Sequence, residues 1–210
     1  LAFAGYLLGT DKSNELWLEN NGPIKLLEEV VYLLEWPKPL KGSFSNDYLK
    51  IPQEVLIQCM AKHQKFFPVV QNKKLKNKFI VMADSVTSKN KKTIIDGNEQ
   101  VLKARLEDVR FFWEEDLTSK LEDKTQLLKR IVFQKGLGSV YEKIERLQDL
   151  AQFLTKSLGY EKHKKEINRT VRLCKSDLVS NMVIELPKLQ GVMGRLYAEK
   201  EKESSLVSKG

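Results

Sequence analysis

Residues 96–117 read DGNEQVLKARLEDVRFFWEEDL, and the character of the chain changes at this point. Between residues 98 and 135 there is neither glycine nor proline, so no residue in this stretch is expected to break a helix. Apolar residues recur through it at helical spacing: Val101, Leu102, Leu106, Val109, Phe112, Trp113, Leu117, Leu121, Leu128 and Val132. We therefore predict one long helix here, or two helices that nearly abut.

The sequence that follows is also typical of helices. Gly136 and Gly138 break the first helical stretch, and Gly159 suits the C-terminal cap of the next one. That next helix has apolar residues three or four positions apart: Val140, Ile144, Leu147, Ala151, Leu154 and Leu158. A third helix ends before Pro187, and a fourth covers residues 189–196. These patterns predict an all-α part over residues 98–200 and a polar tail over residues 201–210.

Upstream of residue 97 the pattern is mixed. Residues 23–36, PIKLLEEVVYLLEW, have proline at the first helical position and apolar residues at helical spacing. Residues 44–51 predict a short strand, and Pro52 is placed to begin a second helix. Two further segments, 66–70 and 78–83, are strand-like, and the polar link QNKKLKN joins them. The fold class is therefore an α+β module over residues 1–97, followed by the helical part.

The amino-acid composition is typical of a folded protein. The 210 residues include 36 Lys+Arg and 28 Asp+Glu, giving a net charge of +8, and 41% are hydrophobic, which favours a folded chain over a disordered one. No apolar run approaches the roughly 20 residues that span a bilayer. Cys59 and Cys174 suggest two buried thiols in a reducing compartment. The opening LAFAGYLLGT lacks the basic region of a signal peptide, and we expect the chain to be a piece of a longer protein.

The positive charge is concentrated between residues 62 and 92. This stretch holds nine lysines, no arginine and a single acid, Asp84, with Phe66, Phe67 and Phe79 among the lysines. Lysines with interleaved aromatic residues suit a phosphate backbone and stacked bases. The alternative is a solvated hairpin that exposes its lysines and buries its phenylalanines. Because arginine is absent, the pattern favours attraction to a phosphate backbone over bidentate base recognition.

Motifs for catalysis are missing from the sequence. There is no phosphate-binding G-x-x-x-x-G-K-[ST] loop, no G-x-G-x-x-G turn and no C-x-x-C pair. The two histidines, His63 and His163, lie in different halves among charged residues, which favours surface positions over metal or general-base roles. The acids 114–116 are interpreted as a solvated helix face. We therefore expect no catalytic residue and no metal ligand in this chain.

Several ordered segments nevertheless resemble one protein family. They are LLEWPKPLKGSF, IPQEVLIQCMAKHQKFFPV, KFIVMADS, DGNEQVLKARLEDVRFFWEEDL, LKRIVFQKGLGSVYEKIERL and CKSDLVSNMVIELPKLQGVMGRLYA. In this order they are similar to the β subunit of the heterotetrameric, bacterial-type glycyl-tRNA synthetase. The resemblance covers roughly residues 27–200.

The resemblance implies a function for the larger protein. In that family the β subunit recognises tRNA, and the α subunit holds the glycine and ATP site. The chain would then support tRNA(Gly) binding and α/β assembly in a cytoplasmic α2β2 ligase that uses ATP with Mg²⁺. The fragment alone would be non-catalytic and would bind no cofactor. The anticodon-binding part, near the end of β, would lie outside it.

The resemblance also implies two architectural modules. The first half is similar to the B3/B4 region of phenylalanyl-tRNA synthetase β, and the second resembles an HD-type helical domain. The segment RLCKSDLVSNM aligns with the helix that carries the His-Asp pair, but Ser176 replaces the histidine beside Asp177. A hydroxyl is a poor substitute for imidazole on a transition metal. We therefore expect a degenerate HD fold without metal, with Asp177 packing or capping a helix near Lys175 or Arg172.

Three readings stay open at this point: a tRNA-binding and assembly module, an HD-type metal-dependent phosphohydrolase, and an assembly-only module without RNA contact. The missing histidines argue against the second. If RNA is bound, two basic clusters are the predicted contacts. The first, called the lysine cluster, comprises Lys62, Lys65, Lys73, Lys74, Lys76, Lys78, Lys89, Lys91 and Lys92. The second, called the loop cluster, comprises Lys162, Lys164, Lys165, Arg169 and Arg172.

Overall fold

The computed structural model describes residues 22–210, and these divide into two compact units at residues 110 and 111. The opening residues 1–21, which the sequence analysis assigned to the α+β module and judged not to be a signal peptide, lie outside the described residues. Each unit is an independent set of helices with one small antiparallel sheet. The described chain is thus a mixture of α and β structure, as the sequence predicts.

Within the described residues, the first unit contains three helices and three strands. In chain order they are α1 (Gly22–Val31), β1 (Lys38–Ser43), α2 (Gln53–Gln64), β2 (Phe67–Gln71), β3 (Lys74–Ala83) and α3 (Lys91–Asp116), whose last turns belong to the second unit. The predicted strand over residues 44–51 is wrong. A 3-10 helix, Asn46–Lys50, lies there because the Ser45 hydroxyl accepts a hydrogen bond from the Asp47 N–H and caps it.

Strand β3 is the centre of the first sheet, whose order is β1-β3-β2. Both pairings are antiparallel; β1 runs from Lys38 opposite Ala83 to Ser43 opposite Lys78. The predicted link 71–77 is largely strand, since only Asn72 and Lys73 form the turn between β2 and β3. The sequence therefore identified the centres of the strands, but it predicted a turn longer than the one observed.

The two sides of this sheet have different environments. On one side Phe79 stacks on Phe66 with ring centroids 4.6 Å apart, and Gly42 must be glycine because an added Cβ would lie 2.3 Å from the Phe79 ring. On the other side Phe67 and Met82 pack with residues of α1. Helix α2 adds a set of buried apolar side chains to the core: Val55, Leu56, Cys59 and Met60.

The second unit is mainly helical. After the end of α3 it contains α4 (Leu121–Leu127), β4 (Val132–Gln134), β5 (Gly138–Ser139), α5 (Val140–Ser157), α6 (Lys164–Leu173), α7 (Asn181–Glu185), α8 (Val192–Lys200) and α9 (Ser205–Lys209). Short 3-10 helices lie at Leu128–Arg130, Glu161–His163, Ser176–Val179 and Pro187–Leu189. Its core includes Trp113 stacked on Tyr197, with ring centroids 5.4 Å apart.

The expectation of an all-α second part needs one correction. Strands β4 and β5 pair antiparallel, with Val132 opposite Ser139 and Gln134 opposite Gly138. Gly136 and Gly138 have φ values of +84° and +79°, which glycine adopts most readily, so these residues turn a hairpin instead of merely ending a helix. No described residue between 140 and 200 lies in a strand.

Two smaller expectations also differ from the structure. The residues from 201 onward, expected to be a polar tail, include helix α9, in which Val207 is buried. Cys59 is buried as expected, but Cys174 is exposed. The domain boundaries at residues 97 and 200 stay a prediction. Helix α3 runs without interruption through residue 97.

Candidate nucleic-acid interface

The outer part of strand β3 presents a row of lysines. Side chains alternate along a strand, and here Lys74, Lys76 and Lys78 are exposed while Leu75 and Phe79 are buried. Successive lysines on this side lie about 7 Å apart along the strand. The row is therefore a line of positive charge held on a rigid element.

Strand β1 adds a fourth lysine to this side of the sheet. Lys41 pairs in register with Ile80, two residues from Lys78, so the two lysines are diagonal neighbours on the same side. Lys41 is exposed. We call Lys41, Lys74, Lys76 and Lys78 the lysine face. Sequence reasoning missed Lys41 because the antiparallel register that brings it here joins segments about 40 residues apart.

The lysine face has one acidic neighbour at its β1 edge. The Glu99 carboxylate accepts hydrogen bonds from the Ser43 N–H at 2.7 Å and from the Ser43 hydroxyl at 3.0 Å. Ser43 lies opposite Lys78. These two bonds tie helix α3 to the sheet and hold the face in position.

The aromatic residues of the lysine-rich stretch are not part of this face. Phe66, Phe67 and Phe79 are 2%, 5% and 0% exposed, respectively. The hypothesis that they stack on bases is therefore wrong, and the alternative that the phenylalanines form the core is confirmed. Burial of these rings stabilises the sheet, since each removes a large apolar area from water. The lysines alone remain as candidates for a nucleic-acid contact.

The rest of the lysine cluster is divided among other elements. Lys73 lies in the β2–β3 turn, and Lys62 and Lys65 lie at the end of α2, where Lys65 pairs with Glu29. The remaining lysines lie in the turn before α3 and at its start: Lys89, Lys91 and Lys92. The structure brings only Lys74, Lys76 and Lys78 together on one strand.

The loop cluster separates into two kinds of residue. Lys162 lies in the 3-10 helix before α6, Lys164 and Lys165 lie in the first turn of α6, and all three are exposed. Arg169 and Arg172 lie in the second half of α6. Neither arginine therefore lies at a helix start, where backbone donors and the helix dipole could meet a phosphate.

Both arginines are engaged inside the second unit. Arg169 pairs with Glu122 and donates two hydrogen bonds to Glu203, at 2.9 and 2.6 Å. Arg172 donates to Glu122 at 3.0 Å and to the Tyr141 hydroxyl at 3.1 Å. The hydrogen bond to Glu203 raises the pKa of Arg169, and the hydrogen bond to Tyr141 raises the pKa of Arg172. These bonds join helices α4, α5 and α6 and occupy the donors that a phosphate would need.

Asp177 acts as a helix cap. Its Oδ2 accepts hydrogen bonds from the Gly191 N–H at 2.6 Å and the Gly194 N–H at 3.1 Å, at the start of α8. Burial raises the pKa of Asp177, while these two bonds oppose the rise. Gly191 has no side chain to cap its own helix, so Asp177 supplies the acceptor from 14 residues away. The predicted capping role is confirmed, but the hydrogen-bond partners are Gly191 and Gly194 and not the predicted Lys175 or Arg172.

Ser176, which replaces the histidine of the HD pattern, is fully buried. Its hydroxyl lies 2.5 Å from the Thr125 hydroxyl. Thr125 in turn donates to the Leu121 carbonyl at 3.0 Å. The position is therefore used for hydrogen bonding between α4 and the 3-10 helix that contains Ser176.

Asp116 is a second buried carboxylate, and the sequence analysis misread it as part of a solvated face. Its carboxylate accepts from the Asn181 and Met182 N–H groups, both at 2.9 Å, and from the Tyr197 hydroxyl at 2.7 Å. The buried Lys124 ammonium donates to the Asp116 carbonyl at 2.6 Å. The sequence contained a signal for this burial, because Asp116 is three residues beyond Trp113 and therefore lies on the buried side of α3.

The described residues offer little for catalysis. Within residues 22–210 no group of three or more His, Cys, Asp and Glu residues is placed to hold a metal ion. In the same range no helix has the length and hydropathy needed to cross a membrane. The arrangement can therefore attract anions through exposed lysines, while its buried acids are used to cap helices.

The comparisons with known proteins agree with the sequence resemblance. A family profile described as "Glycyl-tRNA synthetase beta subunit" matches residues 11–210. Proteins named glycine–tRNA ligase beta subunit are 45% identical over 185 residues in Desulforamulus reducens, 46% over 184 in Geobacter sulfurreducens and 41% over 187 in Acidithiobacillus ferrooxidans. The matches cover 87%, 87% and 89% of this chain but 26% of each relative, so the chain spans about a quarter of their length.

Proposed function

Because the chain belongs to the glycyl-tRNA synthetase beta subunit family, we propose that it forms part of the β subunit of a glycine–tRNA ligase. In this role it supports the binding of tRNA(Gly) and assembly with the α subunit in an α2β2 complex. The complex glycylates tRNA with ATP and Mg²⁺ in the cytoplasm, and the aminoacylation site is on α. The chain itself contributes no catalytic group.

The lysine face carries the RNA-binding part of this proposal. Lys41, Lys74, Lys76 and Lys78 lie on one side of a rigid sheet, where they can contact successive phosphates. Lysine is a flexible point charge, so such a face attracts the backbone without reading bases. The exposed lysines of the loop cluster, Lys162, Lys164 and Lys165, are the second proposed contact.

We also propose the two modules implied by the resemblance: a B3/B4-like α+β module and a degenerate HD-type helical domain. The buried hydrogen bond between Ser176 and Thr125 supports the degenerate assignment, as does the capping role of Asp177, because both side chains already have protein partners. The alternative of an HD-type phosphohydrolase has no comparable support, since hydrolysis would need metal-binding donors at these positions.

The decisive experiment measures tRNA(Gly) binding by the intact α2β2 complex between 50 and 200 mM salt. One variant carries Lys74→Glu, Lys76→Glu and Lys78→Glu; a second carries Lys162→Glu, Lys164→Glu and Lys165→Glu. We expect each to weaken binding by about tenfold or more and to flatten the salt dependence. A control with Lys25→Glu and Lys103→Glu changes exposed lysines outside both clusters.

The same measurement tests the assembly-only reading. If both triple variants keep the affinity and salt slope of the unmodified complex, neither cluster contacts RNA, and the chain serves assembly alone. Thermal unfolding of each variant shows that the fold is retained, so that a loss of binding is assigned to charge. Glutamate suits an exposed strand position about as well as lysine, so these changes are tolerated by β3.

A further inference from the structure

The hairpin of strands β4 and β5 is firmly anchored in the second unit. At its base Ile131 packs against a buried cluster of Leu128, Val140 and Ile144, and the Val140 N–H donates to the Ile131 carbonyl at 2.8 Å. At its tip the Arg146 guanidinium donates to the Leu137 carbonyl at 3.0 Å. The hairpin is therefore held at both ends by the helix that follows it.

The turn into α5 adds to this rigidity. Ser139 and Glu142 form a reciprocal capping box: the Glu142 N–H donates to the Ser139 hydroxyl at 3.2 Å, and the Glu142 carboxylate accepts from the Ser139 N–H at 2.5 Å. Gly138 has a φ of +79°, which glycine adopts most readily, so this position favours glycine. The hairpin thus has one defined conformation.

In spite of this anchoring, strand β4 and the tip of the hairpin face solvent. All three residues of β4 are exposed. Val132 is 75% exposed, Phe133 40% and Leu137 48%. Such a concentration of large apolar side chains on a short, rigid element is typical of a contact surface.

The hairpin and the residues that flank it on both sides carry a net positive charge. Five cations lie between residues 129 and 146, against two acids, Glu142 and Glu145. The five cations are Lys129, Arg130, Lys135, Lys143 and Arg146. Lys129 lies over the Tyr141 ring and Lys143 over the Phe133 ring, at 4.6 and 4.0 Å from the centroids. Within residues 22–210, neither Arg130 nor Lys135 forms an ion pair, and both are exposed.

We propose that the hairpin over residues 131–139 is an RNA-contact element additional to the two predicted clusters. Arg130 and Lys135 neutralise phosphates, and Val132, Phe133 and Leu137 pack against the sugars and bases of the same RNA. This inference rests on the proposed tRNA-binding function and deepens it. Neither the lysine cluster nor the loop cluster contains Arg130, and neither includes an exposed apolar side chain.

The charge favours RNA over a protein partner. A protein-binding hairpin gains most from apolar contact and is depleted in unpaired cations, because each must be desolvated. Here the exposed apolar side chains lie close in sequence to Arg130 and Lys135, which form no ion pair within residues 22–210, whereas Arg169 and Arg172 are paired with acids. Counterion release makes such cations favourable against a phosphate backbone.

The test uses the intact α2β2 complex and tRNA(Gly) as the probe. The variant Arg130→Gln with Lys135→Gln removes two exposed cations and leaves the anchoring contacts intact. We expect binding to weaken by about fivefold or more and the log–log salt slope to fall by roughly one to two. The control Lys188→Gln with Lys200→Gln removes two exposed cations elsewhere in the second unit, and it should change neither quantity.

A second variant separates charge from apolar contact. Val132→Thr keeps the β-branched shape but replaces a methyl group with a hydroxyl, so affinity should fall by about threefold with an unchanged salt slope. If the Arg130/Lys135 variant binds RNA like the unmodified complex, the inference is overturned and the lysine-face proposal stands. A loss of α-subunit association with intact RNA affinity overturns it in favour of a protein contact. If the unmodified complex fails to bind, the proposed function itself fails.

Discussion

Asp116 and Asp177 show how single buried carboxylates organise the second unit. Each accepts two backbone N–H groups at the start of a helix that is distant in sequence, α7 for Asp116 and α8 for Asp177. The first N–H groups of a helix have no partner within it, so an acceptor from elsewhere stabilises the helix and fixes its position. Sequence reasoning identified Asp177 as a capping residue but assigned Asp116 to a solvated face, although its spacing from Trp113 places it on the buried side of α3.

Replacing Asp177 tests this capping role. Asp177→Ala removes both hydrogen bonds and leaves two backbone N–H groups unsatisfied, which should lower the free energy of unfolding by about 2 kcal/mol or more. Asp177→Asn keeps one oxygen to accept from Gly191 and Gly194, so it should lower the free energy much less. Chemical denaturation of the chain measures both values. Equal losses for the two variants would show that the carboxylate acts through charge and not through capping.

Tyr48 gives the first unit a pH-dependent stability. Its hydroxyl donates to Glu107, and burial, followed by that hydrogen bond, raises its pKa to about 12. The unfolded value is near 10. The stabilisation is therefore complete below pH 10 and is lost as the pH rises through 12.

The variant Tyr48→Phe isolates this contribution. Near pH 8 it should lower the free energy of unfolding by about 1 kcal/mol, because the hydrogen bond to Glu107 is lost. Between pH 10 and 12 the difference from the unmodified chain should shrink, since only the unmodified chain loses the Tyr48 contribution. Unfolding at fixed pH values measures the difference. A constant difference over that range would contradict the raised pKa.

At the scale of elements, helix α5 shows what periodicity can and cannot predict. Its bounds, Val140–Ser157, agree with the sequence, and Val140 and Ile144 are buried as the apolar spacing predicts. Leu154 and Leu158, on the same predicted stripe, are 43% and 65% exposed. Periodicity identifies the side of a helix that is apolar, but the length over which a neighbour covers that side is a tertiary property.

Two substitutions in α5 measure this difference. Ile144→Ala leaves a cavity in a fully buried cluster and should lower the free energy of unfolding of the chain by about 2–5 kcal/mol. Leu158→Ala removes an exposed side chain and should change it by no more than about 0.5 kcal/mol. Both variants introduce alanine, so thermal or chemical unfolding compares them directly. A large loss for Leu158→Ala would mean that this residue is packed in solution.

Elements that depend on local chemistry were harder to predict. The 3-10 helix Asn46–Lys50 replaces a predicted strand because of a cap at Ser45, and the hairpin around Gly136 replaces a simple helix break. In both places short polar residues or glycines determine a turn, and apolar spacing carries no information about it. The second half of strand β3, residues 78–83, and helix α2, by contrast, were recognised from strand-like sequence and from Pro52.

At the scale of the whole molecule, charge counted along the sequence is a poor guide to charged surfaces. The nine lysines of residues 62–92 lie on several elements, and three share a strand. Residues 129–146, which include the hairpin over residues 131–139, are cationic because their acids are few and one of them caps a helix. Ion pairs with acids neutralise some arginines, and strand register brings distant lysines together. The charged surface that a partner meets therefore differs from the pattern of charges along the sequence.

The structure also predicts that the stability of the described residues, 22–210, is independent of metal ions. A bound transition metal needs several side-chain donors with free lone pairs. At the position that we propose to be a degenerate HD site, Ser176 is hydrogen-bonded to Thr125, and one Asp177 oxygen already accepts from two N–H groups. Protein purified without added metal should therefore hold much less than one equivalent of Mn, Fe or Zn, and EDTA should leave its Tm unchanged. EDTA preloaded with Ca²⁺ is the matched control; stoichiometric metal whose removal lowers Tm would overturn the degenerate HD assignment.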